Sequence, residues 1–212
     1  MFEHVPHWLG AMLREVRAGH NKLAVAQPEL AGLEPFHLAS PAFGPGGRLP
    51  TRFTADGAGV SPPLVWHSLP AETQHLALLV EDPDAPLPRP WLHALIWCLP
   101  ATQYALDEGA MMRGDSAAGQ DCGQETSIAQ PWLAPDPPTG HGRHDYVFEL
   151  FALRAAPSLG DRPSRSAVIE AMAGEVLGAA VLVGTYDRGT PAPLDQGLGA
   201  GPVDIIARRS PA

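Results

Sequence analysis

Asp82, Asp84, Trp91 and His93 stand in one short stretch of the chain, and His141, His144 and Tyr146 in another. Histidine and tyrosine donate hydrogen bonds to an oxyanion, and a loop carrying Gly140 and Gly142 adds backbone N–H groups. Carboxylates repel the same anion, so their part in such a site is support. An aspartate that accepts one imidazole N–H fixes the ring and favours its cationic form. Two histidines and an aspartate also suit Zn2+ with an open position, which makes a metal-dependent hydrolase the alternative chemistry. No H-E-x-x-H helix or pair of closely spaced cysteines accompanies them, and no serine sits in a G-x-S-x-G elbow. Ser61, before Pro62 and Pro63, reads as a turn-former.

Either chemistry requires the two stretches to converge, and that depends on the elements that carry them. Leu76 to Val80 is a continuous apolar run, followed by Pro83, Pro86, Pro88 and Pro90, whose fixed φ angles and missing donors forbid a helix. Trp91 to Leu99 resumes as a strand, so the pattern is strand, acidic turn, strand. Carboxylates and an imidazole at the edge of an apolar sheet are costly unless paired or solvated, which marks the turn as a site. Tyr146 to Leu153 alternates as a third strand after a proline-stiffened loop, and the three runs are predicted to share one antiparallel sheet. Ser164 caps a predicted helix reaching Met172, and Ala179 to Tyr186 reads as a last buried strand. Short strands are expected at Phe36 to Leu38 and Arg52 to Thr54. Near the N-terminus, Pro6 opens a predicted amphipathic helix that places Val5, Trp8, Leu9, Met12, Leu13 and Val16 on one face. That face needs the core or a second copy to cover it, so a homodimer is expected.

Composition bounds the class. The 212 residues are 45% apolar with 24 prolines and 22 glycines, which fits one core rich in turns and a mainly β fold. A net charge of −9 and a single lysine, Lys22, exclude a nucleic-acid partner of the phosphate-tracking kind. Cys98 and Cys122 make no disulfide framework; Cys98 reads as a small buried hydrophobe and Cys122 as an exposed thiol. No basic leader with an apolar run and no transmembrane segment is evident, so a soluble, cytoplasmic protein is expected.

The motifs resemble a known family. D-P-D-A-P from Asp82 to Pro86, W-x-H from Trp91 to His93 and P-P-x-G-x-G-x-H-x-Y from Pro137 to Tyr146 look like the phosphatidylethanolamine-binding proteins, in their bacterial, Raf-kinase-inhibitor-like branch. S-P-P-L at Ser61, L-A-L-L-V-E before the acidic turn and V-L-V-G-T-Y at Val181 extend the likeness from about Phe36 to Arg188. The resemblance implies two antiparallel sheets with peripheral helices and a small pocket for phosphate-like anions or phospholipid head groups. It places Asp82, Pro86, Trp91, His93, His144 and Tyr146 at that pocket, with Asp84 in the same motif, and implies binding without catalysis, metal or cofactor. A protein kinase or protease inhibited by the pocket loops is the partner it admits. His141 lies off the matched positions and reads as a core histidine. Trp132, Ala134 and Asp145 depart from the family pattern, Asp145 replacing a common basic residue. The expected organisation is an N-terminal helical extension over 1–34, the family domain over 35–188 and a Pro/Gly-rich tail over 189–212.

Overall fold

The computed structural model describes residues 7–30, 33–112, 127–160 and 163–189. Ten strands and two helices follow in chain order: α1 (His7–Met12), β1 (Glu34–Pro35), β2 (His37–Ala39), β3 (Gly47–Arg48), β4 (Leu64–His67), β5 (His75–Asp82), β6 (Trp91–Pro100), β7 (Ala105–Leu106), β8 (Ser127–Gln130), β9 (His144–Leu153), α2 (Arg165–Met172) and β10 (Val176–Tyr186). The larger sheet runs β1-β10-β9-β5-β6-β8, with β3 also paired to β10, and the smaller runs β2-β4-β7. The three predicted apolar strands are β5, β6 and β9, antiparallel neighbours at the centre of the larger sheet. Each is buried along nearly its whole length, as a run covered on both faces must be.

Alternation sorts their side chains into two cores. Leu76, Leu78, Val80, Ala94, Ile96, Tyr146, Phe148 and Leu150 pack towards the smaller sheet, where Phe36, Leu64, Trp66 and Leu106 meet them. Ala77, Leu79, Leu95, Phe151 and Leu153 face the other way, against Val168, Ile169 and Met172 of α2 and Ala24 and Leu30 of the N-terminal segment. The Ser164 hydroxyl accepts from the Ala167 N–H and caps α2 as expected.

Several expectations are corrected. Arg52 does not begin a strand. Thr51–Phe53 is a 3-10 turn, closed by the Thr54 N–H and hydroxyl, both donating to the Thr51 carbonyl, with Phe53 buried beneath it. The Phe36 region is two strands, β1 in one sheet and β2 in the other, because Phe36 turns inward between them. The N-terminal helix spans only six residues, and its expected face is not covered: Trp8 is 63% and Met12 72% exposed, and Val16 is exposed too. Val5 and Pro6 lie outside the described residues, as do the tail beyond Gly189 and Cys122. Backbone, not the apolar stripe, docks this segment. Gly10 lies so close to the 139–141 loop that a Cβ there would sit 2.2 Å from the Thr139 carbonyl oxygen. Cys98 is buried, as read, but it is disulfide-bonded and not a thiol, a pairing that cysteine spacing alone could not disclose.

Two buried acids tie the outer layer to the sheet. Glu81 of β5 receives the Arg165 guanidinium on both carboxylate oxygens and the Ala24 N–H at 3.0 Å. Glu149 of β9 accepts the Val25 N–H at 2.6 Å. Burial, then the neighbouring Glu81, pushes the Glu149 carboxyl well above its ordinary value.

Candidate ligand pocket

β5, β6 and β9 deliver their polar ends to one place because the strand register aligns them. Beyond the last sheet pair, Glu81 with Val147, Asp82 reaches the His144 ring, whose Nδ1–H donates to Asp82 Oδ2 at 2.7 Å. Asp82 Oδ1 accepts the Asp84 N–H at 2.8 Å, closing the acidic turn that the prolines had enforced. On β6 a bulge intervenes: Val80 pairs with Ala94, but Glu81 pairs with Leu92. His93 is the extra residue. Strict alternation would send it to the α2 side with Leu95, whereas the bulge turns its ring onto Tyr146, edge to face at 5.0 Å between centroids.

These groups wall a cavity of about 390 Å³. Asp82, Pro86, Trp91, His93, His144 and Tyr146 line it. Asp84 does not. Its Oδ1 pairs with Arg17 at 2.5 Å and its Oδ2 accepts the Asp145 N–H at 2.7 Å, so it braces the two loops from behind. The sequence reading missed the opposite wall, Leu133, Ala134, Asp136, Pro137 and Pro138, although the run of prolines from Pro135 was its signal. Asp136 is held 2.6 Å from Arg188, which also pairs with Asp56 at 2.8 Å.

Protonation states follow from the partners. His93 Nδ1–H donates to the Leu133 carbonyl at 2.6 Å, and burial lowers the pKa of the ring, with Asp82 opposing. The neutral ring therefore keeps a lone pair at Nε2, with no partner among the described residues, and the residue lines the cavity. The Tyr146 hydroxyl, pushed well above its ordinary pKa by burial and then by Asp82, stays protonated and is a buried donor without a partner among the described residues. His141 is not an isolated core histidine. Its Nδ1 lies 2.7 Å from His144 Nε2 and its Nε2 2.8 Å from the Leu13 carbonyl oxygen.

The residues do not gather as a zinc site. Among the described residues, the one group of three such side chains with ligand atoms within 4.8 Å is His20, Asp84 and Asp145, outside the cavity. Both Asp84 oxygens are already engaged by Arg17 and the Asp145 N–H.

The profile of the phosphatidylethanolamine-binding protein family matches residues 39–187. A UPF0098 protein of Methanothermobacter thermautotrophicus is 40% identical over 153 residues, covering 72% of this chain and 99% of that relative. One from Chlamydia pneumoniae is 37% identical, covering 71% of this chain and 98% of the relative. Among solved structures, a phosphatidylethanolamine-binding protein homologue of Chlamydia trachomatis superposes with a TM-score of 0.61 at 32% identity, over 73% of this chain and 98% of that one. Escherichia coli YbcL shares the fold, with a TM-score of 0.62 at 24% identity over 72% of this chain and 98% of its own. With most of β1 to β10 inside the matched span, and the aspartate, histidines and tyrosine of its motifs around one cavity, the chain belongs to the phosphatidylethanolamine-binding protein family.

Proposed function

We propose that the pocket binds phosphate-like anions or phospholipid head groups, and holds them without turning them over. The observation that carries this reading is the pairing, in one cavity of about 390 Å³, of an open His93 Nε2 with an unpartnered Tyr146 hydroxyl. The volume suits a head group rather than a whole lipid, since small-molecule sites span roughly 300–1,000 Å³. The two acids on the walls do not prevent anion binding. Asp82 faces His144 and Asp136 faces Arg188, so each negative charge is answered before a ligand arrives. Leu87, Trp91 and Leu133 are exposed on the rim and offer an apolar collar, the surface through which a kinase or protease partner would meet the loops.

Calorimetric titration with phosphate and with phosphorylethanolamine tests the reading. Saturable one-to-one binding is expected, and Tyr146→Phe should weaken it about tenfold or more, the usual value of a hydrogen bond to a charged group. No saturable binding of either anion would overturn it. Zinc-dependent hydrolysis of a phosphoester, lost in His93→Ala, would install the hydrolase reading in its place.

The uncovered stripe of Trp8, Met12 and Val16 supports a homodimer as a further proposal. Sedimentation is expected to give a dimer that Trp8→Glu with Met12→Glu converts to a monomer; a parent that is monomeric at high micromolar concentration would refute it.

A further inference from the structure

The chain from Leu13 to Val25 runs across the back of both pocket loops. The Ala18 and Gly19 N–H groups donate to the Ala85 and Pro83 carbonyls at 3.0 and 2.8 Å, an interval of strand-like pairing with the acidic turn. The Arg17 guanidinium joins Asp84 on one loop and the Arg143 carbonyl on the other. Arg14 reaches the Gly140 carbonyl at 3.3 Å. The Leu13 carbonyl receives His141. This segment precedes the family-matched residues 39–187.

The imidazole pair sets a condition on that grip. The Leu13 carbonyl can only accept, so His141 Nε2 carries a hydrogen; the Asp82 carboxylate accepts, so His144 Nδ1 carries one too. Both rings have polar partners at both nitrogens, which fixes their orientation. If each ring held only that one hydrogen, His141 Nδ1 and His144 Nε2 would present two lone pairs to each other at 2.7 Å. One further proton must lie between them. Burial lowers the pKa of His141, with His144 and Arg17 adding to the effect, so the proton belongs to His144, beside Asp82. The buried row is then Asp82 carboxylate, His144 imidazolium, neutral His141 and Leu13 carbonyl, with every donor and acceptor matched.

We propose that His141 is a positioning residue of the pocket: through the proton held between its ring and that of His144, it fastens the N-terminal segment to the Asp82 wall and thereby sets the pocket's affinity for anions. The affinity part rests on the anion-binding reading above; the fastening does not. Released from the segment, the two rings no longer share that proton. Fastened, the pair holds one proton. Docking therefore weakens on the acid side, where a second proton must enter the row, and on the basic side, where the shared proton leaves. The charged and titratable groups facing the pair are Arg17 from the N-terminal segment, Asp82 from the end of β5, His93 from β6 and Tyr146 from β9; Arg17 is in turn held by Asp84.

Amide hydrogen exchange at Ala18 and Gly19 reads the docking directly. In the parent, their protection is expected to pass through a maximum between about pH 5 and 8. His141→Phe fills the space but shares no proton, and should speed their exchange tenfold or more and flatten the pH profile. Protection at Leu79 and Phe148, in the central strands, should be unchanged and certify the fold. Gly10→Val, which pushes on the Thr139 carbonyl and the His141 backbone but leaves both imidazole rings in place, should speed the same two amides while keeping the pH maximum. Nitrogen-15 spectra of the parent near neutrality should show both His144 nitrogens protonated and His141 protonated at Nε2 alone. Sulfate affinity should fall in His141→Phe in step with the lost protection. Two neutral rings near neutrality, or unchanged Ala18 and Gly19 protection in His141→Phe, would overturn the fastening. Full protection effects without any sulfate binding by the parent would instead overturn the anion-binding reading and leave the fastening standing.

Discussion

Replacing Arg165 by methionine is expected to remove about 3–5 kcal/mol of stability, the usual consequence of stranding one partner of a buried ion pair. Against a typical total of about 5–15 kcal/mol this threatens the fold itself. The Glu81 carboxylate is fully buried, and Arg165 is the cation that answers it, besides bonding the Lys22 carbonyl at 2.7 Å. Losing it releases α2 and the N-terminal segment together, since both are tied to the sheet at this point. Glu149→Gln should behave in the opposite way. A carboxyl whose folded pKa is raised above its unfolded value of about 4.5 contributes most below that value, and its contribution is lost as pH rises through the folded pKa. Glutamine keeps the shape and never ionises, so the variant should match the parent in mild acid and exceed it in mild base. Urea unfolding at pH 5 and 8.5 checks both variants. An Arg165→Met protein of parental stability, or a Glu149→Gln protein weakened at pH 8.5, would contradict this account of the pair.

Sulfate should bind about ten times more weakly for each pH unit above the titration of His93, because the anion and one proton bind together. His93 donates its Nδ1–H to Leu133, so only protonation equips Nε2 to donate to a ligand oxygen. Burial holds that ring below its ordinary 6.5, and an anion in the cavity must draw the proton in. His144 contributes its charge but no free donor, since Asp82 and His141 occupy both of its nitrogens. Sulfate is the right probe because its own charge is constant over this range, unlike that of a phosphate monoester. Titrations in buffers of different ionisation enthalpy should report uptake of one proton near pH 7.5. His93→Gln donates at every pH and should flatten the profile. Asp82→Asn should shift it to lower pH, since the Asp82 charge is what raises His93 against desolvation. A parent whose sulfate affinity is independent of pH would refute the protonated-imidazole mechanism.

Period and punctuation settled much of this protein in advance. The apolar runs at Leu76, Trp91 and Tyr146, separated by proline-rich turns, read as strands, and the sheet follows from burying them together. Asp82, Pro86, Trp91, His93, His144 and Tyr146 line one cavity, and the motifs that carry them had grouped them in the sequence. What tertiary structure alone decided depends on contacts between residues distant in sequence. The bulge that turns His93 inward is a difference in count between two paired strands, invisible in either one. Asp84 moved from the wall to the brace because Arg17, 67 positions earlier, came to meet it. His141 became part of the site because a carbonyl at Leu13 fixed its tautomer. The Trp8 stripe stayed outside because Gly10 let backbone, rather than side chains, make the approach. Local pattern determines which face an element offers; which neighbour takes it, and hence where each proton sits, is determined only when the chain closes on itself.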